Sequence, residues 1–239
     1  MNEGWPALER GKVDGWLLRY AAGVTRRANS VLALETPSDV DAAVAEVERR
    51  SAERWLDAVF QITPATQPAD LDARLGERGY AAGSPTLVQV MEGIDLPKFA
   101  DLPVDPRVEL TRQPDERWLE LFWEHEGPSA PADRTISRQI LLGSPAVYAA
   151  LTADGTVAAI ARMALVGSYG GMYCVGTRAG FRRQGLSKAV LEALLRNAAE
   201  RGLEGVWLQV RESNVGAILL NDALGFTTAS NYHYRTRTL

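Results

Sequence analysis

At 239 residues, 46% hydrophobic and 23% charged, the chain has the composition of a globular protein with room for one large domain or two small ones. A net charge of −4 with no long lysine–arginine run disfavours generic nucleic-acid binding. The lone Cys174 excludes an internal disulfide and a multi-cysteine metal site, and no signal-like leader or ~18-residue apolar run appears, so a cytoplasmic protein without metal or membrane partner is expected.

In chain order, residues 15–34 read as two short extended segments around Gly23. Ser38 as N-cap, with Asp41 three residues on, opens a helix whose apolar positions are Val40, Val44, Val47 and Trp55. AVFQIT (58–63) predicts a buried strand, Pro68 opens a second helix that Gly79 closes, and TLVQVM (86–91) is a further strand. Residues 94–106 carry three prolines and few periodic apolar positions, so they are taken as a linker between domains at 1–93 and 107–239. The pattern then restarts. RVELT is a strand, and two helices follow, the first amphipathic through Trp118, Leu121 and Phe122. Next come two strands joined at Asp154-Gly155, the strand GMYCVGT, a long helix, the strand GVWLQVR, a helix from Asn214 to Leu224 stopped by Gly225, and a last strand near NYHYRTR.

The stretch FRRQGLSKAVLEALLRNAAERG (181–202) sets two arginines, a glutamine and a glycine before an apolar-periodic run. A helix start exposes amide groups without internal partners, and their partial charge suits an anion. Gly185 removes a side chain where a diphosphate would come closest, and Arg182 and Arg183 add charged donors. No Gly-Lys-Ser/Thr follows, so this is not a Walker loop, and three-glycine dinucleotide spacing is absent. A basic surface turn is the other reading of the hexamer alone.

The flanking residues decide between them. VGTRAGFRRQGLSKAVLEALL resembles the acyl-CoA-binding segment of the GNAT acetyltransferase superfamily, whose signature Gln/Arg-x-x-Gly-x-Gly/Ala here reads Arg182, Arg183, Gln184, Gly185, Leu186, Ser187. LQVRESNVGAILLNDALGF (208–226) resembles the next GNAT segment, with Asn214 opening a helix that ends in Leu224, Gly225 and Phe226. The resemblance implies an α/β (α+β) GNAT fold, a mixed twisted sheet flanked by helices, in which two parallel strands splay apart. It implies acetyl-CoA as co-substrate, with Val175, Gly176 and Thr177 along the pantetheine arm and Asn214 and Asn221 also in the cofactor set.

Departures bear on chemistry. Ser187 stands where glycine or alanine is usual. Asn221 replaces a tyrosine that in many GNAT enzymes protonates the leaving thiolate, and Gln209 stands where the similar ribosomal-protein N-terminal acetyltransferases place a glutamate base; neither residue exchanges protons. Glu126, Tyr173 and Asn221 form the candidate catalytic set, with Glu124, His125 and Glu212 as further bases reaching through water. A backbone amide on the splayed strand is expected to stabilise the oxyanion.

The opening residues resemble actinobacterial tandem GNAT proteins but lack an Arg-x-x-Gly-x-Gly/Ala loop, so residues 1–93 are expected to be a degenerate GNAT-like half. A weak internal echo agrees: VFQIT…LDARLGERGY and VWLQV…ILLNDALGF both run strand, helix, glycine, aromatic. Trp16, Arg26 and Tyr232 are the candidate substrate contacts, with Arg19, Arg27 and Asn29 beside them as a wall. The expected function is direct N-acetyl transfer in a ternary complex to a small-molecule or peptide amine, by a monomer or homodimer. The alternatives are a non-catalytic acyl-CoA-binding regulator and a conjugating transferase of mycothiol-synthase type.

Overall fold

A computed structural model describes residues 1–127 and 130–239. The fold is mixed α/β, and the chain divides into two compact units. One comprises Met1–Trp5, Val88–Val210 and Asn214–Ala229; the other comprises Pro6–Leu87, Arg211–Ser213 and Ser230–Leu239.

In the second unit the strands run β1 (Glu9–Val13), β2 (Trp16–Tyr20), β3 (Val31–Ala33), β4 (Ala58–Ile62) and the end of β11 (Thr227–Arg237), in that spatial order. β3 and β4 pair parallel, and the other neighbours pair antiparallel. Alternation along β2 and β4 turns Trp16, Leu18, Phe60 and Ile62 toward helices α1 (Val40–Ala52) and α2 (Leu71–Glu77), where Val44, Val47, Leu71 and Leu75 complete a core. Trp16 meets Phe60 edge-on at 5.5 Å, and its indole N–H donates to the carbonyls of Glu35 and Gln67. Fully buried there, Trp16 is a core side chain and not a substrate-facing one.

Three local expectations are corrected. The cap of α1 is Asp39, whose carboxylate accepts from Ala42 N, because Ser38 instead donates through both N–H and hydroxyl to Asp14. Trp55 lies past the helix end at φ +57° and is 95% exposed. β1 was not foreseen. Its signal is a second Asp-Gly pair, Asp14 (φ +40°) and Gly15 (φ +85°), which turns it onto β2.

On β11, Arg235 Nε and His233 Nε2 both reach Asp72 Oδ1 on α2, at 2.7 and 2.9 Å. The Arg235 guanidinium holds the Asp72 carboxyl below its usual range against a smaller desolvation effect, with His233 adding to the depression. A depressed carboxyl stabilises the fold above the unfolded pKa and loses that contribution as pH falls through the folded one. Because the Asp72 side chain is 40% exposed, the gain is no more than about 1 kcal/mol. Asp72→Asn should therefore lower the thermal midpoint at pH 7 by about 2–4 °C. The gap to wild type should close below about pH 4 in a pH series of melts.

In the first unit the strand order is the end of β5 (Ala81–Glu92), β10 (Gly205–Arg211), β9 (Tyr169–Thr177), β8 (Thr156–Val166), β7 (Ala146–Ala153) and β6 (Val108–Thr111). β6 to β9 pair antiparallel, and β9 and β10 pair parallel. The turn between β7 and β8 is the expected Asp154-Gly155, both at positive φ. Helix α5 (Leu186–Glu200) buries Leu186, Val190, Leu194 and Ala198 across β7, β8 and β9. Helices α3 (Glu116–His125) and α4 (Pro131–Leu142) precede β7, and α3 packs on β8 and β9 through Trp118, Leu121 and Phe122. Residues 94–106, read as a linker, open in a 3-10 segment (Gly93–Phe99) whose Leu96 and Phe99 are buried. Helix α6 (Val215–Leu224) ends at Gly225 in the left-handed region, φ +101°. No helix among the described residues is long and apolar enough to cross a membrane.

Candidate active site

β9 and β10 bond over four positions only: Tyr169↔Gly205, Gly170↔Val206, Gly171↔Trp207 and Met172↔Leu208. Both strands continue, β9 to Thr177 and β10 to Arg211, so they part after Met172 and Leu208. The cause is visible on the other side of β9. There Arg162 pairs with Tyr173 and Ile160 with Gly176, so Cys174 and Val175 together face the single residue Ala161. This is a β-bulge, with Cys174 at φ +54°, and a bulge bends its strand. Beyond it, β9 groups directed away from β8 have no β10 partner, leaving main-chain donors and acceptors for a bound chain.

The end of β9 leads to a cradle. After a 3-10 turn at Ala179–Phe181, Arg183 (φ +64°) and Gly185 (φ +78°) take left-handed conformations on either side of Gln184, and α5 begins. Backbone turns of alternating hand curl their amides to one side. None of the six amides from 183 to 188 donates to a backbone carbonyl among the described residues. A β-carbon on Gly185 would meet no heavy atom within 4 Å, so the chain demands glycine by its φ and leaves the space in front open. Arg182 and Arg183 are exposed and make no ion pair among the described residues. Ser187 has its own use: its Oγ lies 2.6 Å from Thr177 Oγ1, tying the start of α5 to the end of β9. Because β9 and β10 are parallel, α6 starts from the same edge of the sheet as α5. Asn214 caps it through Ala217 N, while Val215 and Leu219 stay more than half exposed.

The proposed proton carriers are placed as follows. Tyr173 is buried. Its hydroxyl donates to the Met1 carbonyl at 3.2 Å, and its ring lies 5.4 Å from that of Trp5. Asn221 is buried and donates to Gln89 Oε1 at 2.8 Å, while Gln89 in turn donates to Asp222. Glu124 accepts from Arg178 at 2.7 Å, and Glu126 is exposed just past α3. His125, the last residue of α3, is exposed yet set against β9 beyond the bulge: a β-carbon on Gly176 would stand 2.7 Å from its Cδ2. Val175 and Thr177 are half-buried on the same segment, and Cys174 is buried. In the other unit, Arg26 donates to Ser84 Oγ, and buried Tyr232 packs edge-on against Tyr234 at 5.5 Å.

The sequence did not disclose that Trp207 Nε1 and Gln209 Oε1 are both buried without a hydrogen-bond partner, or that Met1–Trp5 lies against Tyr173. One available signal was Gly170-Gly171 inside a strand, which marks a close approach. A β-carbon on Gly171 would stand 2.5 Å from Trp207 Cζ2.

A family model described as "Probable histone acetyltransferase Rv0428c C-terminal" matches residues 1–237. The chain is 24% identical over 234 residues to the uncharacterized N-acetyltransferase YobR of Bacillus subtilis (strain 168), covering 98% of this chain and 94% of that protein. It is 27% identical over 244 residues to the probable histone acetyltransferase Rv0428c of Mycobacterium tuberculosis, covering 96% and 69%. A solved GCN5-related N-acetyltransferase from Kribbella flavida shares the fold, with TM-score 0.71 at 16% identity over 98% of this chain and 91% of that one. The match over residues 1–237 shows that the chain belongs to the Rv0428c C-terminal family, and thus is an N-acetyltransferase of the GNAT superfamily.

Proposed function

We propose that the enzyme transfers an acetyl group from acetyl-CoA to an amine by direct attack in a ternary complex. The observation that carries this reading is the parting of β9 and β10 next to an open amide cradle. The residues fit the ligand. The amides from 183 to 188, with Arg182 and Arg183, would hold the diphosphate, and the free edge of β9 at Val175, Gly176 and Thr177 would bond the pantetheine amides. The exposed apolar side of α6 at Val215 and Leu219 suits the aliphatic portions. When bound, acetyl-CoA supplies a thioester, an acyl group already activated by its leaving group.

The chain's own part is alignment, charge stabilisation and proton removal. Past the bulge, a main-chain amide on the edge of β9 at Val175–Thr177 would donate to the developing oxyanion. Fixing amine and carbonyl together supplies much of the acceleration. Asn221 is spent on Gln89 and Tyr173 on Met1, so neither donates a proton to the leaving thiolate. His125 takes the proton of the attacking amine, directly or through one water, because its ring lies against β9 past the bulge.

His125→Gln should lower kcat/KM about 100-fold or more. Acetyl-CoA affinity should stay within a few-fold of wild type. A kcat/KM within a few-fold of wild type sinks the assignment of His125.

The unit built on Pro6–Leu87 is read here as a degenerate GNAT-like half that holds no acyl-CoA. Supporting this, β4, α2, Gly79 (φ +84°) and buried Tyr80 follow the same order as β10, α6, Gly225 (φ +101°) and buried Phe226.

A further inference from the structure

The point where β9 and β10 part carries two polar atoms with nothing to bond. Trp207 and Gln209 flank Leu208, the last paired residue of β10, and their side chains leave the same face of the strand. Trp207 is 7% exposed, and its indole Nε1 is a buried donor without an acceptor. Gln209 Oε1 is a buried acceptor without a donor. Across the gap, Gly171 and Tyr173 flank Met172, the last paired residue of β9. Gly171 has no side chain because the Trp207 ring occupies its place, and Tyr173 Cε2 would stand 2.9 Å from a β-carbon there. Gln209 Nε2 approaches Met1 Sδ at 3.6 Å, and Tyr173 donates to the Met1 carbonyl. Trp207 and Tyr173 thus meet over Gly171 near the apex of the split, and Tyr173 and Gln209 both reach Met1.

A buried polar group left unpaired costs about 1–3 kcal/mol, and native chains rarely keep two on one strand face without a use. An indole N–H requires an acceptor and an amide oxygen requires a donor. A simple alkylamine must keep its one lone pair for the thioester carbon, and so offers the protein only N–H donors. An α-amino amide offers both from adjacent atoms: its amine N–H and the carbonyl one carbon away. Resting on the reading of this site as the place of acetyl transfer, we propose that Trp207 Nε1 and Gln209 Oε1 form an acceptor subsite. The subsite takes an α-amine next to a carbonyl, as in an amino-acid amide or the first residue of a peptide. Gln209, which stands where a glutamate base is found in similar enzymes, then holds the amine without titrating and leaves the proton to another group.

The test measures CoA release with alaninamide, an alanine-initiated tetrapeptide and isopropylamine, with rates expressed per neutral amine; the greater nucleophilicity of the more basic isopropylamine then works against the expected preference. Wild type should favour the amide or the tetrapeptide at least about tenfold in kcat/KM over isopropylamine. The comparison of alaninamide with the tetrapeptide then tells a small acceptor from a peptide one. Trp207→Phe keeps the ring and removes the donor, and should bring that ratio near one with acetyl-CoA affinity unchanged. Equal rates for all three amines in wild type overturn the subsite and mean that a water satisfies the pair; this holds whether or not the variant folds. Failure of wild type to bind acetyl-CoA by calorimetry is a separate result, which overturns the reading of the site and the subsite with it.

Discussion

Gly185→Asp should raise the dissociation constant for acetyl-CoA by about 100-fold or more, measured by titration calorimetry, while the protein stays folded. Two effects combine. At φ +78° and ψ 4° an L-residue pays a backbone cost of about 1–2 kcal/mol, less for Asp than for most. A carboxylate at the mouth of the cradle also repels the diphosphate where six amides and two arginines would otherwise attract it. Gly185→Ala separates these effects. Nothing in the chain lies within 4 Å of the added carbon, so alanine carries the backbone cost and contact with the ligand but no charge. Its loss of affinity should be about tenfold smaller than that of aspartate. Equal losses for the two variants would place the cost in backbone geometry and remove the electrostatic argument.

Arg162→Leu should destabilise the enzyme by about 3–5 kcal/mol, seen as a fall in thermal midpoint of roughly 6–20 °C. Arg162 is fully buried, and no carboxylate pairs with it among the described residues. Its guanidinium donates to the Gly4 and Leu141 carbonyls at 2.9 Å, to Ser144 Oγ at 2.8 Å and to Tyr148 Oη at 3.3 Å. It lies between the rings of Trp5, Tyr148 and Tyr173. Leucine fills part of the volume but leaves these acceptors buried without donors. Arg162 also sits opposite Tyr173 at the foot of the bulge and holds Gly4 in place, so the Met1–Trp5 segment should loosen in the variant. Faster amide exchange at residues 2–5 than in wild type would report it.

What the sequence made legible follows from how local each signal is. The strands and helices from Val108 onward were readable because periodicity, Asp154-Gly155, Asn214 and Gly225 are near-neighbour signals. The start of α5 at Gly185 was readable for the same reason, since its signal lies within six consecutive residues. Ser38 misled because its capping preference was overridden by Asp14, 24 residues away. Trp16 misled because an aromatic near arginines reads equally as a surface or a core residue, and only the packing of α1 and α2 settles which. The bulge has no residue signature of its own beyond an unusual φ at Cys174. The engagement of Tyr173 joins positions 172 residues apart, and the unpaired atoms of Trp207 and Gln209 are a property of what surrounds them.

The close seating of Trp207 on Gly171 limits how this point of the sheet could change. Any side chain at 171 collides with the indole while Trp207 is present, and any small residue at 207 leaves a hole that glycine cannot fill. Single substitutions at either place are therefore steps down, whereas an exchange of bulk between the two strands is permitted. Change at this place should proceed by paired substitutions at 171 and 207, and a library that varies the two together would reach folded variants that separate scans at each position miss.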